Sequence, residues 1–252
     1  MPTEFRILSK LLTEVGLDRP AGRVIEIGEG LIRLSGLAGT ARIGDRVLLR
    51  RRAGLALGGE VLGIADDTVA ILPDSTADGV AIGDHAELQR RAGFAPADHW
   101  IGRVIDPFGA ALDGKPLLRG DLDADPLRAP PPAAKRRPLG SRLGTGLAVM
   151  NTLLPVVEGQ RLGLFAGSGV GKSRLLAHLA RKMQADVVVV ALIGERGREV
   201  NEFVTRTLGA EGMRRAVVVA ATSDQSALTR RRCAWSAMSV AEHFRDQGRN
   251  VL

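Results

Sequence analysis

The 252-residue sequence predicts a small all-β barrel followed by an α/β domain built on a parallel sheet. Three observations carry that reading. Between Gly22 and Gln89, short alternating segments recur at roughly ten-residue spacing, separated by glycines and aspartate turns, the pattern of a small barrel. After Gln160, continuous valine-rich runs alternate with helical periodicity, which signals parallel strands covered on both faces. Between them, residues 119–140 contain Pro126, Pro130, Pro131, Pro132 and Pro138, and proline fixes φ while removing backbone donors.

The elements follow in order. Over residues 1–20, Phe5, Leu8, Leu11, Leu12 and Val15 keep helical spacing and Gly16 ends it, predicting a helix. That helix either covers the next domain or docks to a partner or a membrane surface. Residues 21–91 form the barrel, from alternating segments such as Leu31-Ile32-Arg33-Leu34 and Thr68-Val69-Ala70-Ile71. Residues 92–252 form the α/β domain, with 119–140 an extended connector and Lys135-Arg136-Arg137 its solvated charge run. Within it, Leu162–Phe165 reads as a short strand and Lys172–Gln184 as a helix with Leu175, Leu176, Leu179 and Met183 on one face. Val187–Ile193 and Ala216–Ala221 read as buried strands, Glu199–Leu208 and Ala227–Asp246 as helices, with Cys233, Trp235 and Met238 packing as core.

Composition narrows the function classes. Apolar residues at 45% and charged residues at 25% are globular values. The longest apolar run, Val187–Ile193, is far short of the roughly 20 residues that span a bilayer. The first residues show no charged-then-apolar pattern with a small-residue cleavage site, so a secretory signal is not expected. A single cysteine, Cys233, rules out an internal disulfide and fits a reducing compartment, and His85, His99, His178 and His243 lack metal-ligand spacing. Residues 1–90 carry 11 Lys/Arg against 13 Asp/Glu, whereas residues 91–252 carry 24 against 15, so an anionic ligand belongs with the second part. With no tyrosine and 3% aromatics, the chain lacks the stacking platform of single-strand nucleic-acid binders.

The chemistry lies in Ala166-Gly167-Ser168-Gly169-Val170-Gly171-Lys172-Ser173. This is the P-loop pattern, with Ala166 in place of the leading glycine. Small residues let backbone N–H groups surround a phosphate, and the helix that follows adds its N-terminal dipole. Lys172 would reach the β- and γ-phosphates of ATP, and the Ser173 hydroxyl would ligate Mg²⁺. A dinucleotide fingerprint fails because position 172 is lysine, and a nucleophile elbow around Ser168 fails because 166 and 170 are alanine and valine. Glu195 stands just past the carboxyl end of the Val187–Ile193 strand, where ligands of open α/β sheets bind. On position alone it either orients an attacking water or complements a helix dipole. Arg230-Arg231-Arg232 oppose the dipole of the last helix, so a network near the nucleotide, an acidic neighbour or plain solvation must hold them.

Three stretches together resemble one family: Leu164 to Ser173, Gly194-Glu195-Arg196-Gly197-Arg198-Glu199-Val200, and Ala241-Glu242-His243-Phe244-Arg245-Asp246-Gln247-Gly248. They are similar to the flagellar type III protein-export ATPases, relatives of virulence secretion ATPases and of the β subunit of F-type ATP synthases. The β-rich region and Gly102-Arg103-Val104 through Asp113-Gly114 fit the same family, so the resemblance covers nearly the whole chain. It implies a RecA-like P-loop domain, with Lys172 and Ser173 at phosphate and Mg²⁺, Glu195 acting on water, and Arg196 beside the phosphates or merely paired with Glu199. It also implies a homohexamer with nucleotide between subunits, a location in the cytoplasm at the inner-membrane export apparatus, and as partners an export regulator, the membrane export gate and exported proteins. Only peripheral membrane contact and no nucleic acid are expected. In that family the strand opened by Asn250-Val251-Leu252 runs on to a Mg²⁺-binding aspartate. The sequence therefore reads as an N-terminal portion, truncated at its C-terminus, that binds nucleotide weakly and hydrolyses it poorly. Two other readings share the plan: a virulence-type secretion ATPase, or a non-catalytic nucleotide-binding module. A hexameric RNA translocase would need an aromatic-bearing barrel, and residues 22–89 contain no Phe, Tyr or Trp.

Overall fold

The computed structural model describes residues 19–28, 30–52, 54–89, 94–167 and 169–252, so the helix expected over residues 1–20 falls outside the described residues except for Arg19 and Pro20. The chain divides into two compact units, residues 1–92 and 93–252.

In the first unit β1 (Ala21–Ile27), β2 (Ile32–Ser35), β3 (Arg46–Arg50), β4 (Leu57–Ala65), β5 (Thr68–Pro73) and β6 (His85–Gln89) close into an antiparallel barrel of order β1-β2-β5-β4-β3-β6. Alternation dictates the closure, because every second residue of β3, β5 and β6 is buried. Val24, Leu34, Val47, Val61 and Ile71, each at most 1% exposed, fill the interior. Two Ile-Gly-Asp turns, 43–45 and 82–84, feed β3 and β6. In each, the buried aspartate takes the backbone N–H three residues upstream, Arg42 at 2.8 Å and Ala81 at 2.9 Å. These turns, not hydrophobicity, set where the two strands begin.

The second unit contains β7 (Val104–Ile105), β8 (Arg142–Leu143), α1 (Ala148–Thr152), β9 (Val156–Val157), α2 (Lys172–Lys182), β10 (Val188–Glu195), α3 (Gly197–Glu202), α4 (Gly209–Met213), β11 (Ala216–Thr222) and α5 (Ala227–Asp246). Its main sheet is parallel, ordered β10-β11-β7. β11 is central and the first six of its seven residues are buried. Ala216, Val218 and Ala220 face a cluster with α2 and Phe203, while Val217, Val219 and Ala221 face α5 through Cys233, Ala237, Val240 and Phe244. A strand covered on both faces reads as an unbroken apolar run, which is why Ala216–Ala221 was readable from sequence. Arg215 closes the C-terminus of α2, donating to the carbonyls of Ala180, Met183 and Ala185 at 2.7–3.2 Å. No helix among the described residues is long and apolar enough to cross a membrane.

Three expectations are corrected. The segment Leu162–Phe165 is not a strand: no ladder takes up its backbone groups, and Phe165 is 96% exposed. A strand exists only beside a partner, and the described residues along the outer edge of β10 belong to 250–252, with Val187 bridged in parallel to Val251 and Val189 N–H bonded to the Leu252 carbonyl at 2.8 Å. The helix expected over Glu199–Leu208 is α3 followed by a π-helical turn, Phe203–Leu208, because Gly209, at φ +65°, breaks the ladder before α4. Met238 is 60% exposed, since it lies five residues from Cys233 and so across the helix from the buried stripe; Trp235 is half-buried.

One ion pair anchors the start of this unit. Arg103 grips Asp113 with both arms of its guanidinium, at 2.6 and 2.7 Å, and the Val104 and Lys115 N–H groups also bond that carboxylate. Arg103 holds the Asp113 carboxyl well below the usual carboxylate range. A depressed acid stabilises the fold above its unfolded value, near 3.9, and loses that contribution as pH falls through the folded value. We expect Asp113→Asn to lower urea-measured stability by about 2 kcal/mol at pH 7, with the deficit shrinking below pH 4. A deficit independent of pH would show that the charge is not its origin. Arg215→Ala is expected to cost about 2 kcal/mol in the same assay, and Arg214→Ala, on an exposed side chain, under about 0.5 kcal/mol.

Candidate nucleotide site

The phosphate-loop segment leads into α2. Gly169 and Gly171 adopt φ of +76° and +97°, left-handed conformations that L side chains rarely take, and Gly171 is the residue from which α2 springs. A Cβ added at Gly167, Gly169 or Gly171 would meet no described atom within 4 Å, so the loop borders open space. Lys172, the first residue of α2, folds back over the loop and donates to the carbonyls of Ala166 and, at 2.7 Å, of Gly167. Ser173 is exposed one residue on, and Val170 is 65% exposed. Ser168 lies outside the described residues. The first four N–H groups of a helix lack intrahelical partners, so the start of α2 offers donors and a positive dipole end to an anion.

Glu195 reaches the same region from the sheet. β10 carries an irregularity between Ile193 and Glu195 in its register with β11, and Gly194 sits there at φ +76°. The bulge lets the chain turn out of the ladder while Ser223 N–H still bonds the Glu195 carbonyl at 3.1 Å. Glu195 is exposed, yet its carboxyl is raised above its ordinary value, first by desolvation from the neighbouring protein and then by Glu199; the nearby Lys172 ammonium opposes this. Lys172 and Glu195 are thus brought within electrostatic reach from α2 and β10. Arg196 initiates α3 and pairs with Glu199 at 3.4 Å, and its side chain is 76% exposed. That is the paired alternative foreseen for it.

The arginine triad of α5 is divided by its surroundings. Arg231 lies 4.8 Å over the Trp235 ring and Arg232 4.9 Å over the Phe108 ring. Arg230 runs alongside Gly194, with Cδ and Nη1 both 3.8 Å from where a Cβ would stand, and its Nε has no hydrogen-bond partner among the described residues. The sequence reading missed Glu199 as a partner of Glu195 and Arg230 as a neighbour of the bulge. The i, i+4 spacing of the two glutamates across the start of a helix was a signal for the first. For the second, three arginines opposing the α5 dipole left a network near the nucleotide open as one reading, while which of them would lie beside the bulge depends on how α5 crosses β10.

Residues fit for a metal are few: no group of three or more His, Cys, Asp or Glu among the described residues gathers as a cage. A hard cation here would take Ser173 together with oxygens of the nucleotide and water.

Known proteins match the chain over most of its length. Residues 146–252 match the ATP synthase alpha/beta family, nucleotide-binding domain. The flagellum-specific ATP synthase of Caulobacter vibrioides is 45% identical over 233 residues, 92% of this chain and 51% of that protein. That of Treponema pallidum is 47% identical over 82% of this chain and 46% of its own length, and the type 3 secretion system ATPase of Xanthomonas euvesicatoria 36% identical over 97% and 55%. The chain thus spans about half the length of these relatives. Among solved structures, the assembled ATPase EscN of the enteropathogenic E. coli type III secretion system superposes with a TM-score of 0.76 at 35% identity, covering 91% of this chain and 55% of that one. EscN in complex with its central stalk EscO gives 0.79 at 34% identity, over 91% and 56%. Residues 146–252 match the nucleotide-binding domain of the ATP synthase alpha/beta family, in a chain that resembles flagellum-specific ATP synthases and type 3 secretion ATPases across barrel and P-loop alike.

Proposed function

We propose that this chain is the barrel and P-loop part of an ATPase that energises flagellar type III protein export. The observation that carries the reading is the convergence of Lys172, at the start of α2, and Glu195, at the carboxyl end of β10, on one edge of a parallel sheet. The flagellar names among its relatives favour flagellar over virulence-type export.

ATP phosphates would lie against the glycine loop, with Lys172 exchanging its two loop carbonyls for phosphate oxygens. Ser173 would hold Mg²⁺, which when bound offsets phosphate charge. Glu195 would accept a hydrogen bond from the attacking water and align it with the γ-phosphate, so that the terminal P–O bond breaks as the water oxygen bonds to phosphorus. Arg196 and Arg230 supply positive potential at the same edge. By likeness to assembled EscN, the working form is an oligomer, a homohexamer in this reading. A regulator, the membrane export gate and exported proteins as partners, and a cytoplasmic position at the inner-membrane apparatus, extend the same proposal.

Two measurements test it. A fluorescent ATP analogue should bind the purified chain with Mg²⁺, and Lys172→Ala should weaken it at least tenfold and remove the melting-temperature rise produced by ATP. Unchanged binding in that variant would mean that the loop is not the phosphate site. Glu195→Gln should keep binding within about twofold while phosphate release drops about 100-fold or more, the scale of a lost general base. Release equal to the parent chain would remove Glu195 from the chemistry.

A further inference from the structure

The carboxyl end of α5 lies at the opposite edge of the sheet from Glu195. The chain leaves α5 at Asp246, and the Asn250 carbonyl then accepts the Asp186 and Val187 N–H groups, at 2.8 and 3.2 Å, where β10 begins. At this edge α5 and residues 122–128 border a cavity of about 470 Å³, within the size range of small-ligand sites. The wall facing α5 is strapped to the domain at two points. The Ala124 N–H donates to the Phe94 carbonyl at 2.7 Å, and Arg128 pairs with Asp246 of α5 at 3.3 Å.

Ser239 lines this cavity. It is 4% exposed, and its hydroxyl forms no hydrogen bond with the described residues. Ser236, one turn earlier on α5, shows the ordinary arrangement: its buried hydroxyl donates to the Pro107 carbonyl at 2.6 Å. A buried hydroxyl without a partner costs stability, so Ser239 offers the cavity a polar group that the fold itself does not use. Around it, Asp123, Asp125, Glu242 and Asp246 stand against one cation, Arg128. Two of these acids are already matched, Asp123 by Arg119 at 2.6 Å and Asp246 by Arg245 and Arg128. Asp125 makes no ion pair among the described residues, and its Oδ1 takes only the Leu127 N–H at 2.9 Å. Glu242 meets Arg245 only at 3.4 Å. Burial pushes His243 below its ordinary value, so its ring adds no positive charge at neutral pH.

We propose that this cavity binds an alkylammonium group, whose N–H donors are accepted by the Ser239 hydroxyl and the Asp125 and Glu242 carboxylates. An ammonium is a compact charge with three donors on a methylene stem, and Leu122 and Ala124 give that stem apolar contact. A metal ion is not served here, because no three His, Cys, Asp or Glu among the described residues gather closely enough to hold one. The ammonium belongs either to a free diamine or to a lysine side chain of another polypeptide. The site stands apart from the phosphate loop and does not depend on the ATPase reading.

Calorimetric titration of the 252-residue chain tests this with two probes, cadaverine and the peptide acetyl-Gly-Lys-Gly-amide. The same peptide with norleucine in place of lysine is the uncharged match. At least one of the two amines should bind with millimolar affinity or better, and the norleucine peptide should not bind. Binding of cadaverine alone assigns a free diamine, whereas binding of the lysine peptide assigns a protein side chain. Asp125→Asn keeps an acceptor for the Leu127 N–H and should weaken binding at least about fivefold, as should Ser239→Ala, the scale of one lost charge-assisted hydrogen bond. Ser239→Ala should also leave the melting temperature unchanged or raised, since it removes an unpaired hydroxyl and improves helix propensity. A fall would show that the hydroxyl serves the fold and would overturn its assignment to a ligand. Absence of binding by both amines, equal binding of the norleucine peptide, or parental affinity in both variants would overturn the proposal.

Discussion

The parallel register between β10 and β11 is the constraint on which the site depends. Val188 lies opposite Ala216, and the pairing runs residue for residue to Ile193 opposite Ala221. Because the side-chain period of a strand is two, one residue of slip would turn every buried valine outward and carry Glu195 to the opposite face. Both faces of β11 are packed, so the penalty for slip falls on two clusters at once. Burying each such aliphatic side chain contributes about 1.5–3 kcal/mol, which makes the alternative register untenable. Only after Ile193 does the register shift, at a glycine whose φ is +76°, before Glu195 pairs again with Thr222.

The same logic governs the loop. Gly167 and Gly169 are exposed, and the loop is held from below: Ala177, Leu179 and Ala180 root α2 in the protein, and Arg215 ties the far end of that helix to β11. A helix fixed at its C-terminus presents its N-terminal donors in a defined place, which is what an anion site needs. Lys172 meanwhile satisfies itself on loop carbonyls, so its charge stays at the loop and not out in solvent. Phosphate then competes with two neutral acceptors, and a charge-assisted bond to an anion is roughly twice as strong as a neutral one.

How much of this was legible in sequence follows from which interactions are local. α5 was readable to the residue, because Ser226 caps it, accepting from Thr229 N–H at 3.1 Å, and its buried stripe keeps helical spacing. β11 was readable because both faces are covered. The short barrel strands were readable from alternation, although the two Ile-Gly-Asp turns that start β3 and β6 escaped notice, their effect lying in an aspartate–backbone bond. Leu162–Phe165 was misread because an apolar run carries no information about whether a neighbour exists to pair with it. Lys172 and Glu195 could be named from motif and position. The place of Arg230 beside Gly194 could not, since it needs both the bulge and the crossing of α5 over β10.

The arginine triad of α5 shows how the site and the fold trade against each other. Three cations in the fourth to sixth positions of α5 oppose the helix dipole, Arg230 most directly because it closes the first turn, where the cost is about 0.3–1 kcal/mol. Two are offset locally, Arg231 on Trp235 and Arg232 on Phe108, by cation–π contacts of similar size. Arg230 has no ring beneath it and lies instead on the strand bulge that aims Glu195. Its unfavourable place on the helix becomes favourable once a polyanion approaches the sheet edge. Beside it stand Lys172 and Arg196, against Glu195 and Glu199. At formal charge the three cations exceed the two carboxylates by one, so the edge attracts phosphate only while Arg230 is in place, and the dipole cost of that arginine on α5 is what leaves the sheet edge positive.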